Sequence, residues 1–241
     1  MIEEYFKPLA LQIDSGFGST ADSFYYAAQA LEENQENRYG FGIGGGKLPL
    51  LYLYRHSIEL YLKSIITLID RIKPSSVECH KNNEFPTIKE NKKDKKIFSV
   101  HSIKTLFQNY LEILDENKIY IKSKSGCDWF DMPQEIFLLV DKIEEYDRNS
   151  TMFRYPISMD SDLDYQKSTF KKCMFVKEKV KGKSTNKSKP NIFLLLHNGN
   201  DEIVESYVSD NDALSEIHDV LKELAEHLFG LHFGLKTDLI R

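Results

Sequence analysis

The stretch Tyr54-Arg55-His56-Ser57-Ile58-Glu59-Leu60-Tyr61-Leu62-Lys63 decides how this chain is read. It lies within LPLLYLYRHSIELYLKSIITLIDR, residues 48–71, which is apolar on most of its circumference and carries Pro49 where a first helical turn accepts proline. At about 100° per residue, Arg55, His56, Glu59, Lys63, Thr67 and Asp70 gather on about a third of the helix surface, and Leu, Ile and Tyr fill the rest. The pattern predicts a largely buried helix with one polar stripe. Glu59 is one turn from both Arg55 and Lys63 and three residues from His56, so one carboxylate can bridge several cations. Burying such charges unpaired is costly, so the stripe either pairs within itself or lines a wet cleft.

Helical signals continue on both sides. Upstream, Ser19 or Thr20 can cap a helix through ADSFYYAAQALEENQEN, ending near Arg38. The glycines of RYGFGIGGGKLP do not meet the phosphate-loop pattern, because Phe41 stands where its first glycine is required and Leu48 follows Lys47. A flexible connector or lid is the preferred reading. Downstream, residues 73–98 are rich in Lys, Asn and Pro and read as a long loop. A helix is expected from near His101, with Ile103, Leu106, Phe107, Tyr110, Leu111 and Leu114 on one side. Asp131 as cap and Pro133 as first helical residue open another, which ends around Asp147.

Beyond residue 156 the period changes. Residues 170–179, 191–197 and 201–208 are short runs rich in β-formers, and HNGN between the last two signals a tight hairpin. These predict a three-stranded antiparallel meander inserted over residues 168–208. A final helix after Ser209 carries Leu214, Ile217, Leu221, Leu224 and Leu228 at heptad spacing and can close at Gly230. That seam suits packing within the bundle better than against a second copy.

With 241 residues, 41% of them hydrophobic and 29% charged, the chain can bury a sizeable core and is expected to form one domain with an insertion. No apolar run approaches the ~20 residues of a membrane span, and MIEEYFKPLALQ lacks the basic start of a secretory signal, so a cytoplasmic, membrane-free protein is expected. Cys79, Cys127 and Cys173 are three and far apart, which fits reduced thiols. The net charge is −5, yet nine lysines and a single acid, Glu178, lie between Lys167 and Lys189. A basic hairpin carrying Lys171, Lys172, Lys181 and Lys183 can track a phosphate backbone; lysines at a solvated loop tip are the plainer reading. No HExxH, GxSxG or DxDxDG motif is present, and His227 and His232 are five apart, so neither metal nor other cofactor is expected.

The run RHSIELYLK, with His101-Ser102-Ile103 at a later helix start and Phe153-Arg154-Tyr155-Pro156 after Asp147 and Ser150, resembles prokaryotic HEPN-domain proteins. The similarity covers residues 19–156 and the final helix, 210–230, and leaves out the β insertion. It implies a mainly α protein, a HEPN-like helical bundle forming a homodimer, acting on RNA or a nucleotide. It also implies a setting in toxin–antitoxin or phage defence, with an antitoxin or other defence-system protein as partner. Many members are metal-independent endoribonucleases, and their catalytic arginine and histidine stand as R-x4–6-H. This chain has no such pair, which leaves a catalytically silent sensor or scaffold as the second implied function.

A metal-free ribonuclease needs a base for the ribose 2′-OH, an acid for the leaving oxygen and a cation for the charged phosphorane. His56 or His101 can serve as acid or base, Arg55 and Arg154 as phosphate-binding cations with Lys63 beside them, and Glu59 can orient a histidine. For each histidine a hydrogen-bonded structural role is the alternative. For Arg154 it is a pair with Glu59 or Asp147 that fixes where the chain leaves the bundle.

Overall fold

The computed structural model describes residues 6–33, 47–72, 85–158, 160–174, 192–210 and 213–240. Seven α-helices and five short strands lie among them: α1 (Phe17–Glu33), α2 (Leu48–Ile72), β1 (Thr87–Glu90), β2 (Lys93–Lys96), α3 (Ile103–Glu116), α4 (Lys118–Lys124), α5 (Gln134–Asp147), α6 (Ser161–Lys167), β3 (Phe170–Lys172), β4 (Phe193–His197), β5 (Ile203–Ser209) and α7 (Ser215–Leu239). The chain is mainly helical, with small antiparallel sheets. The glycine-rich connector of residues 40–46 and the lysine-rich tip that holds Lys181 and Lys183 lie outside the described residues.

α2 is the hub. It is wrapped by α1, α3 and α7, and α5 packs across α3 and α7. Leu50, Leu51, Tyr54, Ile58, Tyr61, Leu62, Ile65, Leu68 and Ile69 are all fully buried, as expected of a helix apolar nearly all round. The heptad seam of α7 is spent inside the bundle, since Ile217, Leu221, Leu224 and Leu228 join this same core.

Three helix boundaries differ from the sequence expectation. α1 begins at Phe17 because Asp14, rather than Ser19 or Thr20, caps it: its carboxylate accepts from the Gly16 and Gly18 amides at 3.1 and 3.0 Å. α7 runs through Gly230 to Leu239, where His232, Leu235 and Lys236 are buried. Gly230 is tolerated mid-helix, and the buried face beyond it keeps the helix going. α3 starts at Ile103, where the Ser102 hydroxyl accepts from the Thr105 amide at 3.1 Å, so His101 stands in the extended lead-in just before the cap.

The β structure differs as well. The segment read as a long loop contains the β1–β2 hairpin, turned by Asn91 and Lys92 at φ 51° and 62°. Only Ile88 of that hairpin is buried, so no apolar alternation marks it. The three-stranded sheet is antiparallel, but its order is β3-β5-β4, with the last strand in the centre instead of the sequential order of a meander. The expected β4–β5 hairpin is present, its turn held by Asn198, whose Oδ1 accepts from the Asn200 and Glu202 amides at 2.9 and 3.0 Å. No helix among the described residues is long and apolar enough to cross a membrane.

Candidate functional site

Most of the polar stripe of α2 is sunk in the bundle: Arg55, Glu59, Lys63 and Thr67 are buried, and Asp70 at its far end borders a small cleft. Arg55 is only 1% exposed and its guanidinium is fully engaged. Nε donates to Asp147 Oδ2 at 2.8 Å, Nη1 to Glu59, and Nη2 to Ser150 Oγ at 2.6 Å and to the carbonyl oxygen of His101. Asp147 closes its own other side by accepting the Met152 amide at 2.8 Å. Ser150 sits in the left-handed region at φ 58° and its hydroxyl donates to the His101 carbonyl at 2.9 Å. Arg55 therefore clamps the end of α5 to the segment that leads into α3, and a strained turn completes the clamp.

Glu59, also buried, collects four cationic or potentially cationic groups. Oε1 accepts from Lys63 Nζ at 2.8 Å and faces His101 Nδ1 at 2.9 Å, while Oε2 accepts from Arg55 and from Arg154 Nη2 at 3.2 Å. Burial alone would raise this carboxyl, but the charges of Arg55 and Lys63 and the hydrogen bonds from Lys63 and His101 outweigh it and lower its pKa to about 2. It is an anion at any physiological pH.

Two members of the cluster reach solvent. The His101 side chain is 43% exposed and that of Arg154 24%. They approach from different elements: His101 precedes the Ser102 cap, and Arg154 follows α5 in a turn anchored by the buried Met152 and Phe153. Phe153 and Arg154 are neighbours in sequence, one serving the core and the other the ionic cluster. Arg154 Nη2 lies 3.5 Å from His101 Nδ1, both directed at the same carboxylate. The linked charges comprise three cations, Arg55, Lys63 and Arg154, and two carboxylates, Glu59 and Asp147. Arg154 is the cation of this set that meets solvent.

The remaining expected site residues are placed differently. His56 turns away from the cluster: its ring stacks on Tyr52 at 5.5 Å and 9°, and meets Phe24 edge-on at 4.5 Å. Burial, joined by Arg55, Arg154 and Lys63 against the opposing pull of Glu59, lowers its pKa. Its Nδ1 is enclosed and has no hydrogen-bond partner among the described residues, and its ring packs between Tyr52 and Phe24 apart from the hydrogen bonds of the cluster. Lys63 and Arg55 are corrected too: both are buried and bound to carboxylates, and neither can reach a phosphate outside. On the sheet, Lys171 donates to the Tyr165 carbonyl and lies over that ring at 4.4 Å, and burial lowers its pKa. Lys172 pairs with Glu205 at 2.9 Å and stays exposed. The chain thus brings Arg55, Glu59, Lys63, His101 and Arg154 together, and leaves out His56 and the sheet lysines.

In the sequence Asp147 stands out as a helix end and as a possible partner of Arg154, and Ser150 only as a residue ahead of Phe153-Arg154-Tyr155-Pro156; their roles as the receptors of Arg55 depend on the α5–α3 packing. A cleft of about 840 Å³ opens nearby, lined by Lys104, Asp141, Glu144, Arg148, Asp160 and Leu163 among others, but neither His101 nor Arg154 lines it. Acids outnumber cations around it, which repels a polyanion. Among the described residues no group of three His, Cys, Asp or Glu side chains is placed to hold a metal ion. No family model matches the chain, and neither a curated protein nor a solved structure is significantly similar to it.

Proposed function

We propose that this is a HEPN-type protein that acts on RNA, with His101 and Arg154 as the pair that meets the phosphodiester. The observation that carries this reading is the convergence of a partly exposed imidazole and a partly exposed guanidinium on one buried carboxylate, at the point where the cluster meets solvent. In metal-independent cleavage His101 Nε2 takes the proton of the ribose 2′-OH, and the 2′-oxygen forms its bond to phosphorus. The bond from phosphorus to the 5′-oxygen breaks, that oxygen takes a proton from solvent, and Arg154 stabilises the charged phosphorane between. The products are a 2′,3′-cyclic phosphate and a 5′-hydroxyl.

A second reading is a catalytically silent domain that binds RNA, a nucleotide or a partner protein as sensor or scaffold. It is favoured by the same cluster: Arg55 and Lys63 are consumed as structural ions, and the single histidine that joins Glu59 among the described residues is fewer than an acid and a base together require. Incubation of the purified protein with total RNA and with tRNA in the presence of a chelator separates the two. Cleavage that falls about 10²-fold or more in folded His101→Ala and Arg154→Ala variants supports the nuclease. An inert wild type whose RNA or nucleotide affinity depends on Arg154 supports the silent binder, and RNA binding indifferent to both residues removes the site.

A further inference from the structure

We propose that Glu59 is the positioning residue of this site: it holds the neutral His101 imidazole in the tautomer with its proton on Nδ1, so that Nε2 presents a lone pair to solvent. The role of that lone pair in cleavage rests on the function proposed above; the tautomer does not.

The argument is one of donors and acceptors. Two neighbours compete for His101 Nδ1: Glu59 Oε1 at 2.9 Å and Arg154 Nη2 at 3.5 Å. A guanidinium only donates, so a hydrogen bond from Arg154 would need the lone pair on Nδ1. An ionised carboxylate only accepts, so Glu59 needs the proton there. The shorter contact is also the charge-assisted one, and the carboxylate is held ionised by Arg55 and Lys63, so the Glu59 bond prevails. Arg154 and His101 are then two donors to the two oxygens of one acceptor rather than partners of each other.

The imidazole has little freedom to choose otherwise. Its backbone carbonyl is gripped by Arg55 and Ser150, and Ser102, the next residue, is fixed as the cap of α3. Glu59 cannot swing away, since both its oxygens are also bound to cations of its own helix. With Nδ1 committed to Glu59, Nε2 is the ring nitrogen left for chemistry. Arg154 stands on the Nδ1 side of the ring, where it shares Glu59 as anchor with His101.

The test is long-range ¹H–¹⁵N correlation NMR of the ¹⁵N-histidine-labelled full chain, with His101 assigned through His101→Gln, at a pH where the ring is neutral. The expected spectrum shows the Nδ1–H tautomer for His101 in the wild type. A spectrum of the Nε2–H tautomer, or of an equal mixture, overturns the proposal whatever the protein does to RNA. Glu59→Gln extends the test: in the folded variant the Nδ1–H preference falls, and kcat for RNA falls at least tenfold while KM moves less than threefold. A folded Glu59→Gln protein with an unchanged tautomer and unchanged kcat refutes the positioning role. A wild type with the Nδ1–H tautomer and no RNA cleavage upholds it and overturns the nuclease reading alone.

Discussion

Arg55 and Asp147 are ninety-two residues apart in sequence and meet at 2.8 Å in the interior, each about 1% exposed. The pair is half of a buried network whose other half is Glu59, with Lys63, His101 and Arg154 arranged around it. Buried ion pairs of this kind add little over a well-packed apolar substitute, yet breaking one leaves a charge stranded out of water.

Arg55→Ala leaves the buried Asp147 without a cation, removes one of the cations of Glu59 and one of the donors to the His101 carbonyl, so a loss of roughly 3–5 kcal/mol is expected, read from the shift of the urea unfolding midpoint. Arg55→Lys recovers only part of it, because one ammonium cannot serve Asp147, Ser150 and Glu59 along the three directions of a guanidinium.

Arg154→Ala behaves differently. Its side chain is 24% exposed and Glu59 keeps two cationic partners from its own helix without it, so the protein folds, with a stability change of about 1 kcal/mol or less. RNA affinity or cleavage is what falls. An Arg154→Ala chain that fails to fold would show the residue to be a structural tie at the exit from α5.

Acid dissolves the cluster before neutral pH touches it. The Glu59 carboxyl is lowered from 4.5 to about 2, so its contribution is fully present above its unfolded value and lost as pH falls through the interval between the two. Asp14, whose burial opposes ionisation but is outweighed by His232, with Nε2 3.5 Å from Oδ2, and by the charge of Lys236, is lowered as well and acts in the same direction. Denaturant midpoints measured from about pH 6 to pH 3 should decline, and Glu59→Gln should flatten the slope while lowering the plateau.

Two glycines of the bundle separate cleanly. A Cβ on Gly18 would stand 2.4 Å from the His232 ring and 2.6 Å from the Asp14 carboxylate, so Gly18→Ala forces apart α1 and α7 at a cost of about 1–3 kcal/mol or more. At Gly230 nothing lies within 4 Å, and Gly230→Ala should stabilise α7 by roughly 0.5–1 kcal/mol. Thermal melts of the two variants are expected to move in opposite directions.

The longer helices were legible because their apolar periods are strong, α2 and α5 falling almost where Pro49, Pro133 and Asp147 suggest, whereas the short α4 and α6 carry too few turns to show a period. The start of α1 was obscured because the cap, Asp14, lies before a Ser-Gly turn instead of directly before the apolar run. The end of α7 is not legible locally because Gly230 resembles a helix stop, whereas the burial of His232 and Leu235 outweighs one unfavourable residue. At the site, the four-residue spacing of Arg55, Glu59 and Lys63 announced a ladder, and the ladder forms. Which charges would surface was not written there. It follows from Asp147 and Ser150 arriving over Arg55, and from the turn at Phe153 that swings Arg154 over Glu59, both of them long-range events without a local signature.

The contact of Gly18 and Asp14 with His232 carries a consequence for biosynthesis. Asp14 also accepts from Ser64 at 2.6 Å, so one carboxylate near the start of the chain rivets α2 and the far half of α7. In a nascent polypeptide this acid is made well before its neighbour in α7, so α1 and α2 emerge with the α7-facing side of the core uncovered, and the rivet can close only once residues past 232 are clear of the exit tunnel.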